Sequence, residues 1–112
     1  VAIGGPAAYL ATVPVKAMVA AMRAADVPAQ VSNTAGTFVC NHLMYGVLHF
    51  LAASGRGARA GFIHVPWLDG QAIARPAEPS MALATMVRGV EAALSAALEN
   101  AVDVRAGGGA LD

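Results

Sequence analysis

Apolar residues recur at helical spacing in three stretches of this chain. In the first, Val15, Met18, Val19 and Met22 mark one face of a helix over Val15–Ala25, with Lys16 and Arg23 on the other. Pro14 suits the residue that opens a helix, and Asp26-Val27-Pro28 ends it. In the second, Leu43, Val47 and Phe50 form one stripe, and Met44, Leu48 and Leu51 form the next. That pattern predicts a helix over Phe38–Ala53, apolar most of the way round and therefore buried. Ser54-Gly55-Arg56-Gly57 stops it, with glycine on the C-terminal side. In the third, Ser80 caps a long helix over Met81–Val102, whose stripe is Leu83, Met86, Val87, Val90, Leu94 and Leu98.

Two shorter segments separate these helices. Ala29–Ser32 reads as a short strand, and Asn33–Thr37 as the turn after it. Ala60-Gly61-Phe62-Ile63-His64-Val65 is a continuous apolar run closed by Pro66, the pattern of a strand buried on both faces. Trp67–Pro79 reads as a proline-bearing loop. Residues 1–13 read as a loop with Tyr9 and Leu10 docked, and residues 107–112 as a flexible tail. No internal repeat is present. Helix, strand, helix, strand, helix implies parallel strands with helical crossovers, hence an α/β fold. Two strands are too few for such a sheet. The expectation is the C-terminal part of a single, larger α/β domain, and a first residue Val1 that is not Met agrees with it.

Composition sharpens that expectation. The 112 residues make one domain or part of one. A formal net charge of +0 argues against nucleic acid and anionic membrane surfaces, which favour basic patches. Hydrophobic residues are 57% and charged residues 12%, more apolar surface than a small domain hides easily. The chain is expected to pack against the remainder of a larger fold or against identical subunits. No acidic residue, lysine or arginine lies between Val27 and Gly55. A spanning helix needs about 20 predominantly apolar residues. Phe38–Ala53 is short for that and is interrupted by His42 and His49, so no membrane span is expected. The N-terminal residues lack the basic stretch and apolar run of a secretion signal. One cysteine cannot form an internal disulfide and fits a reducing compartment, so a cytoplasmic location is expected.

That cysteine, Cys40, follows a glycine-containing turn and falls at the start of the second helix. A thiol at a helix N-terminus is biased toward thiolate, the form that attacks carbonyls. His64 lies at the carboxyl end of the second strand. Ligands of open parallel sheets bind beyond those strand ends. If the two strands are neighbours, Cys40 and His64 reach one edge, the minimum for thiol catalysis: the imidazole takes the thiol proton and returns it to the leaving amine. Two plainer readings stand beside this one. A lone cysteine in an apolar segment also serves as a buried small hydrophobe, and a histidine in a buried strand as a hydrogen-bonded structural residue. Cys40, His42 and His49 do not match metal-ligand spacing, and both helix histidines read as structural or interfacial. No glycine-rich phosphate loop opens a helix, and no cofactor is implied.

Ser32-Asn33-Thr34-Ala35-Gly36-Thr37-Phe38-Val39-Cys40-Asn41-His42, continuing Leu43-Met44-Tyr45-Gly46-Val47-Leu48-His49, closely resembles the cysteine signature of the pyroglutamyl peptidase I (pyrrolidone-carboxylate peptidase) family. Gly61-Phe62-Ile63-His64-Val65-Pro66 resembles the family's histidine strand. Val13–Val19 and Pro79-Ser80-Met81 resemble further family segments in the same order. The resemblance spans Tyr9 to Leu98. It implies a three-layer α/β/α sandwich with a mostly parallel sheet, of which only the C-terminal part is present. It also implies a cytosolic thiol exopeptidase that removes N-terminal pyroglutamate from peptides and often assembles as a tetramer. Cys40 would be the nucleophile, His64 the general base and acid, and Phe38 and Val39 would line the pocket for the lactam ring. The family's orienting glutamate, an arginine of the oxyanion site and aromatic residues of the lactam pocket belong to its N-terminal half. None of those motifs is here, and Glu78, Glu91 and Glu99 do not replace the glutamate. The expectation is therefore a truncated sequence of a full-length enzyme, inactive alone. The alternative is a non-catalytic remnant that acts as an interaction module.

Overall fold

A computed structural model describes residues 2–103. Its elements, in chain order, are α1 (Val15–Ala24), α2 (Val39–Ser54), β1 (Trp67–Leu68), α3 (Asp69–Ala72), β2 (Ser80–Met81) and α4 (Leu83–Glu99). The three long helices lie where apolar periodicity places them, within a few residues at each end. β1 and β2 pair in parallel, Trp67 with Ser80 and Leu68 with Met81, across a connection that contains α3. The expected tail at 107–112 lies outside the described residues.

The core is the contact of α1 with α4. Met18 and Met22 from α1, Val27 just after it, and Ala93, Ala96 and Ala97 from α4 form one buried cluster. Small residues on α4 let the helices approach closely. Gly89 is buried there, and a Cβ added to it would stand 2.9 Å from Val27 Cγ1. Polar side chains from distant positions complete the helix ends. Pro14, at the N-cap of α1, offers no side-chain hydrogen bond. Instead the Asp103 carboxylate accepts the N–H groups of Lys16 (3.0 Å) and Ala17 (2.8 Å). A carboxylate suits the positive end of the helix dipole. Arg88 donates to the Ala25 carbonyl at the other end of α1. The Arg59 guanidinium spans the Ala97 and Asn100 carbonyls at the end of α4.

Several expectations are corrected. The apolar stripe expected on α4 is mostly outside the core: Leu83, Val87, Leu94 and Leu98 are exposed and Met86 and Val90 half-buried, while Gly89, Ala93, Ala96 and Ala97 are inside. The helix is apolar on two sides, and the small side meets α1. Ser80 belongs to β2 and does not cap α4, whose N-cap is Ala82 without a side-chain hydrogen bond. The predicted loop Trp67–Pro79 contains β1 and α3. Ala29–Ser32 forms no strand, and only Ser32 takes part in an isolated bridge. Ala60–Val65 belongs to no sheet among the described residues; Ala60 alone bonds sideways, its carbonyl accepting from Thr12 N–H at 2.8 Å. α2 buries only Leu48, and Leu10 is exposed. One physical reason covers the unpaired strands and the bare helix. A central strand needs a neighbour on each side and a buried helix needs a cover, and the described residues supply neither. The Cα radius of gyration, 15.2 Å, accordingly exceeds the about 13 Å expected of a closed domain of this length.

Candidate active site

Cys40 is the second residue of α2 and is half-buried. The turn that delivers it is held by local side-chain bonds. Ser32 Oγ donates to the Thr34 carbonyl (2.7 Å) and accepts from Thr34 N–H, and Thr34 Oγ1 accepts from Gly36 N–H (2.9 Å). Such turns compete with regular structure and stop the chain from continuing as strand or helix before Phe38. Gly36 has φ 85°, the left-handed region that glycine enters without steric cost. The first turn of α2 carries no acidic residue, and its N-cap, Phe38, makes no side-chain hydrogen bond. The N–H groups around Cys40 are thus not engaged by a capping side chain, an arrangement suited to an oxyanion.

His64 is exposed and packs its ring edge-on against Phe62, with centroids 5.0 Å apart. The residues before it run along α2: Ala60, Gly61, Phe62 and Ile63 face Leu43, Met44, Val47 and Leu48 across an apolar groove of ≈ 290 Å³. The chain that carries the histidine therefore lies beside the helix that carries the thiol. Among the described residues no hydrogen bond joins Cys40 to His64, and none joins His64 to a carboxylate. Of the two residues expected at the lactam pocket, Phe38 lines a second groove of ≈ 230 Å³ with Ala7, Thr37, Asn41 and Tyr45. Val39 is exposed.

The helix histidines separate. His42 lines the second groove. His49 Nδ1 lies 2.7 Å from Tyr9 Oη, and its ring stacks on Tyr45. Tyr45 Oη donates to the Pro6 carbonyl (2.7 Å) and accepts Ala2 N–H (3.1 Å). Tyr45 and His49, four apart on one face of α2, thus strap residues 2–9 to the nucleophile helix. That spacing was available in the sequence; the partners, some forty residues earlier, were not. Among the described residues no cluster of three or more metal-ligating side chains forms, and no helix is long and apolar enough to cross a membrane.

The profile of the family described as pyroglutamyl peptidase matches residues 1–100. A pyrrolidone-carboxylate peptidase of Klebsiella pneumoniae (strain 342) is 57% identical over 107 residues, covering 96% of this chain and 50% of that protein. One from Treponema denticola is 49% identical over 109 residues, covering 94% and 50%. Among solved structures, pyroglutamyl peptidase I from Bacillus amyloliquefaciens superposes with a TM-score of 0.87 at 38% identity, over 93% of this chain and 49% of that one. A mutant pyrrolidone carboxyl peptidase from Pyrococcus furiosus gives 0.82 at 34% identity, over 90% and 50%. The α/β fold is therefore that of these peptidases, and the chain spans about half the length of the relatives it matches.

Proposed function

The chain belongs to the pyroglutamyl peptidase family, and from that premise we propose that it carries the nucleophile and the base of a cysteine peptidase that removes N-terminal pyroglutamate from peptides. The observation that carries the reading is Cys40 in the first turn of α2, behind a turn bonded so as to present it, within the family match. In this reading Cys40 Sγ attacks the carbonyl carbon that links pyroglutamate to the next residue, while His64 takes the thiol proton. The oxyanion is held by the Cys40 backbone N–H, a donor of a kind worth about 2.7–4 kcal/mol in acyl transfer. The C–N bond then breaks, and His64 returns the proton to the leaving amine. The thioester is cleaved by water, with His64 as the base. Pyroglutamate is uncharged, and apolar contact from Phe38 and Val39 suits its ring.

The reading assigns the remaining parts of the site, including the carboxylate that orients His64, to the half of the domain that the relatives have beyond this chain's span. It also takes the complete protein to work in the cytoplasm, where a lone thiol stays reduced, and to assemble as a tetramer. The exposed His64 and the bare face of α2 support it: both await neighbours. The test is hydrolysis of a fluorogenic pyroglutamyl amide. It compares residues 1–112 with a single chain in which the N-terminal half of the Klebsiella relative precedes Val1. Activity is expected from the completed chain only, abolished by Cys40→Ala and by His64→Ala. A completed chain that stays active without Cys40 would refute the mechanism.

A further inference from the structure

His49 has no part in the chemistry assigned to Cys40 and His64, yet it is tied to the groove beside them. Its Nδ1 lies 2.7 Å from Tyr9 Oη. The Tyr9 ring stands edge-on to the rings of His49 (5.8 Å between centroids) and Tyr45 (5.0 Å), and all three side chains are half-buried. Tyr45 Oη donates to the Pro6 carbonyl at 2.7 Å. Residues 6–9 are therefore fastened to α2 at both ends, Pro6 by Tyr45 and Tyr9 by His49. Ala7, Ala8 and Tyr9 form one wall of the ≈ 230 Å³ groove, and Phe38, Asn41 and Tyr45 line it from the side of α2. Cys40 stands in the chain between Phe38 and Asn41. Asn41, Tyr45 and His49, four apart, form a row along the helix. His49 is two turns, about 12 Å, beyond Asn41, and it does not line the groove.

We infer that His49 is a positioning residue of this site: acting through Tyr9, it holds the wall formed by residues 7–9 against the groove that Phe38 lines, and so sets how tightly a neutral lactam ring is bound. The identity of the ligand rests on the peptidase reading; the fastening does not. A wall left loose has to be ordered each time a ligand enters, and that ordering is lost from the binding free energy. A wall already fastened avoids the loss. The groove meets the ring in the same way before and during the reaction, so the effect falls on ground state and transition state alike. Loss of the fastening then raises KM and leaves kcat in place.

The experiment uses the completed chain, with the N-terminal half of the Klebsiella relative preceding Val1. Binding is read without turnover, as the protection of Cys40 from iodoacetamide by 2-pyrrolidone. Tyr9→Phe and His49→Leu should each need about fivefold more 2-pyrrolidone for equal protection, the worth of one hydrogen bond. The double variant should need no more than either single one, because both changes remove the same bond. His49→Asn places an amide near the position of Nδ1 and should recover most of the loss. On the fluorogenic pyroglutamyl amide, KM should rise by the same factor while kcat stays within about twofold. A His49 that only supports folding would instead lower kcat, through loss of folded enzyme, at constant KM. Circular dichroism checks that each variant keeps its helices, and Tyr9→Phe, which removes a single oxygen, decides the matter if His49→Leu does not fold. No protection of the unsubstituted chain, an unchanged 2-pyrrolidone requirement in Tyr9→Phe, no recovery in His49→Asn, or a loss confined to kcat would overturn the inference. Protection that follows the expected order in a chain without peptidase activity would sustain it and count against the function proposed above.

Discussion

Gly89→Ala sets two effects of known sign against each other. In an open helix the change stabilises by up to about 1 kcal/mol, because alanine loses less backbone freedom than glycine. Here the new Cβ would stand 2.9 Å from Val27 Cγ1 and 3.6 Å from Val27 Cβ. Val27 is 4% exposed, and a β-branched side chain has little rotamer freedom with which to yield. Overpacking of this kind costs about 1–3 kcal/mol. The clash wins, and Gly89→Ala should destabilise the α1–α4 unit by about 1 kcal/mol. Val27→Ala alone leaves a void and should cost about 2 kcal/mol. In that background the clash partner is gone, so Gly89→Ala should become stabilising by about 1 kcal/mol. The assay is urea unfolding followed by helical circular dichroism on the two single variants and the double variant. The sign reversal corresponds to a coupling of about 2 kcal/mol, within the range for residues in contact. An equal stabilisation by Gly89→Ala in both backgrounds would refute the close approach of α4 to Val27.

Three further outcomes follow from the tethers. Asp103→Ala should destabilise α1 by about 1–2 kcal/mol through loss of the cap on Lys16 and Ala17, and Asp103→Asn by less, because an amide oxygen still accepts but carries no charge; urea unfolding ranks the pair, and equal effects would contradict the charge argument. Tyr45→Phe removes the bonds to Pro6 and Ala2. Amide exchange in residues 2–9 should then accelerate about fivefold, for about 1 kcal/mol lost, with α2 unchanged. Arg59→Lys keeps the charge but not the fork over Ala97 and Asn100. It should recover only part of the roughly 1 kcal/mol lost in Arg59→Ala, as read by exchange at the end of α4.

What could be read from the sequence was what depends on near neighbours. Helical spacing located α1, α2 and α4, glycine at Gly55 marked the end of α2 through its left-handed φ of 66°, and the residues around Gly36 announced the turn before Cys40. The strands were less legible because a strand is defined by its partner. Ala60–Val65 has the composition of a central strand and, among the described residues, stays outside any sheet, while Trp67–Leu68 and Ser80–Met81 pair within a stretch whose prolines read as loop. The buried face of α4 was misread because large side chains set the apparent stripe, whereas Gly89 and Ala93 face the core. At the site, Cys40 was found by its local context. The tethers Asp103, Arg59 and Arg88 bridge positions far apart in sequence and leave no periodic trace.

Acylation of Cys40 itself decides whether this thiol is the nucleophile. The completed chain, with the N-terminal half of a relative preceding Val1, would be quenched in acid during turnover of a pyroglutamyl ester and mapped by peptide mass spectrometry. One pyroglutamyl group is expected on the peptide that contains Cys40, absent in Cys40→Ala and slow to form in His64→Ala. Turnover that proceeds with Cys40 unmodified and survives its replacement by alanine would contradict it.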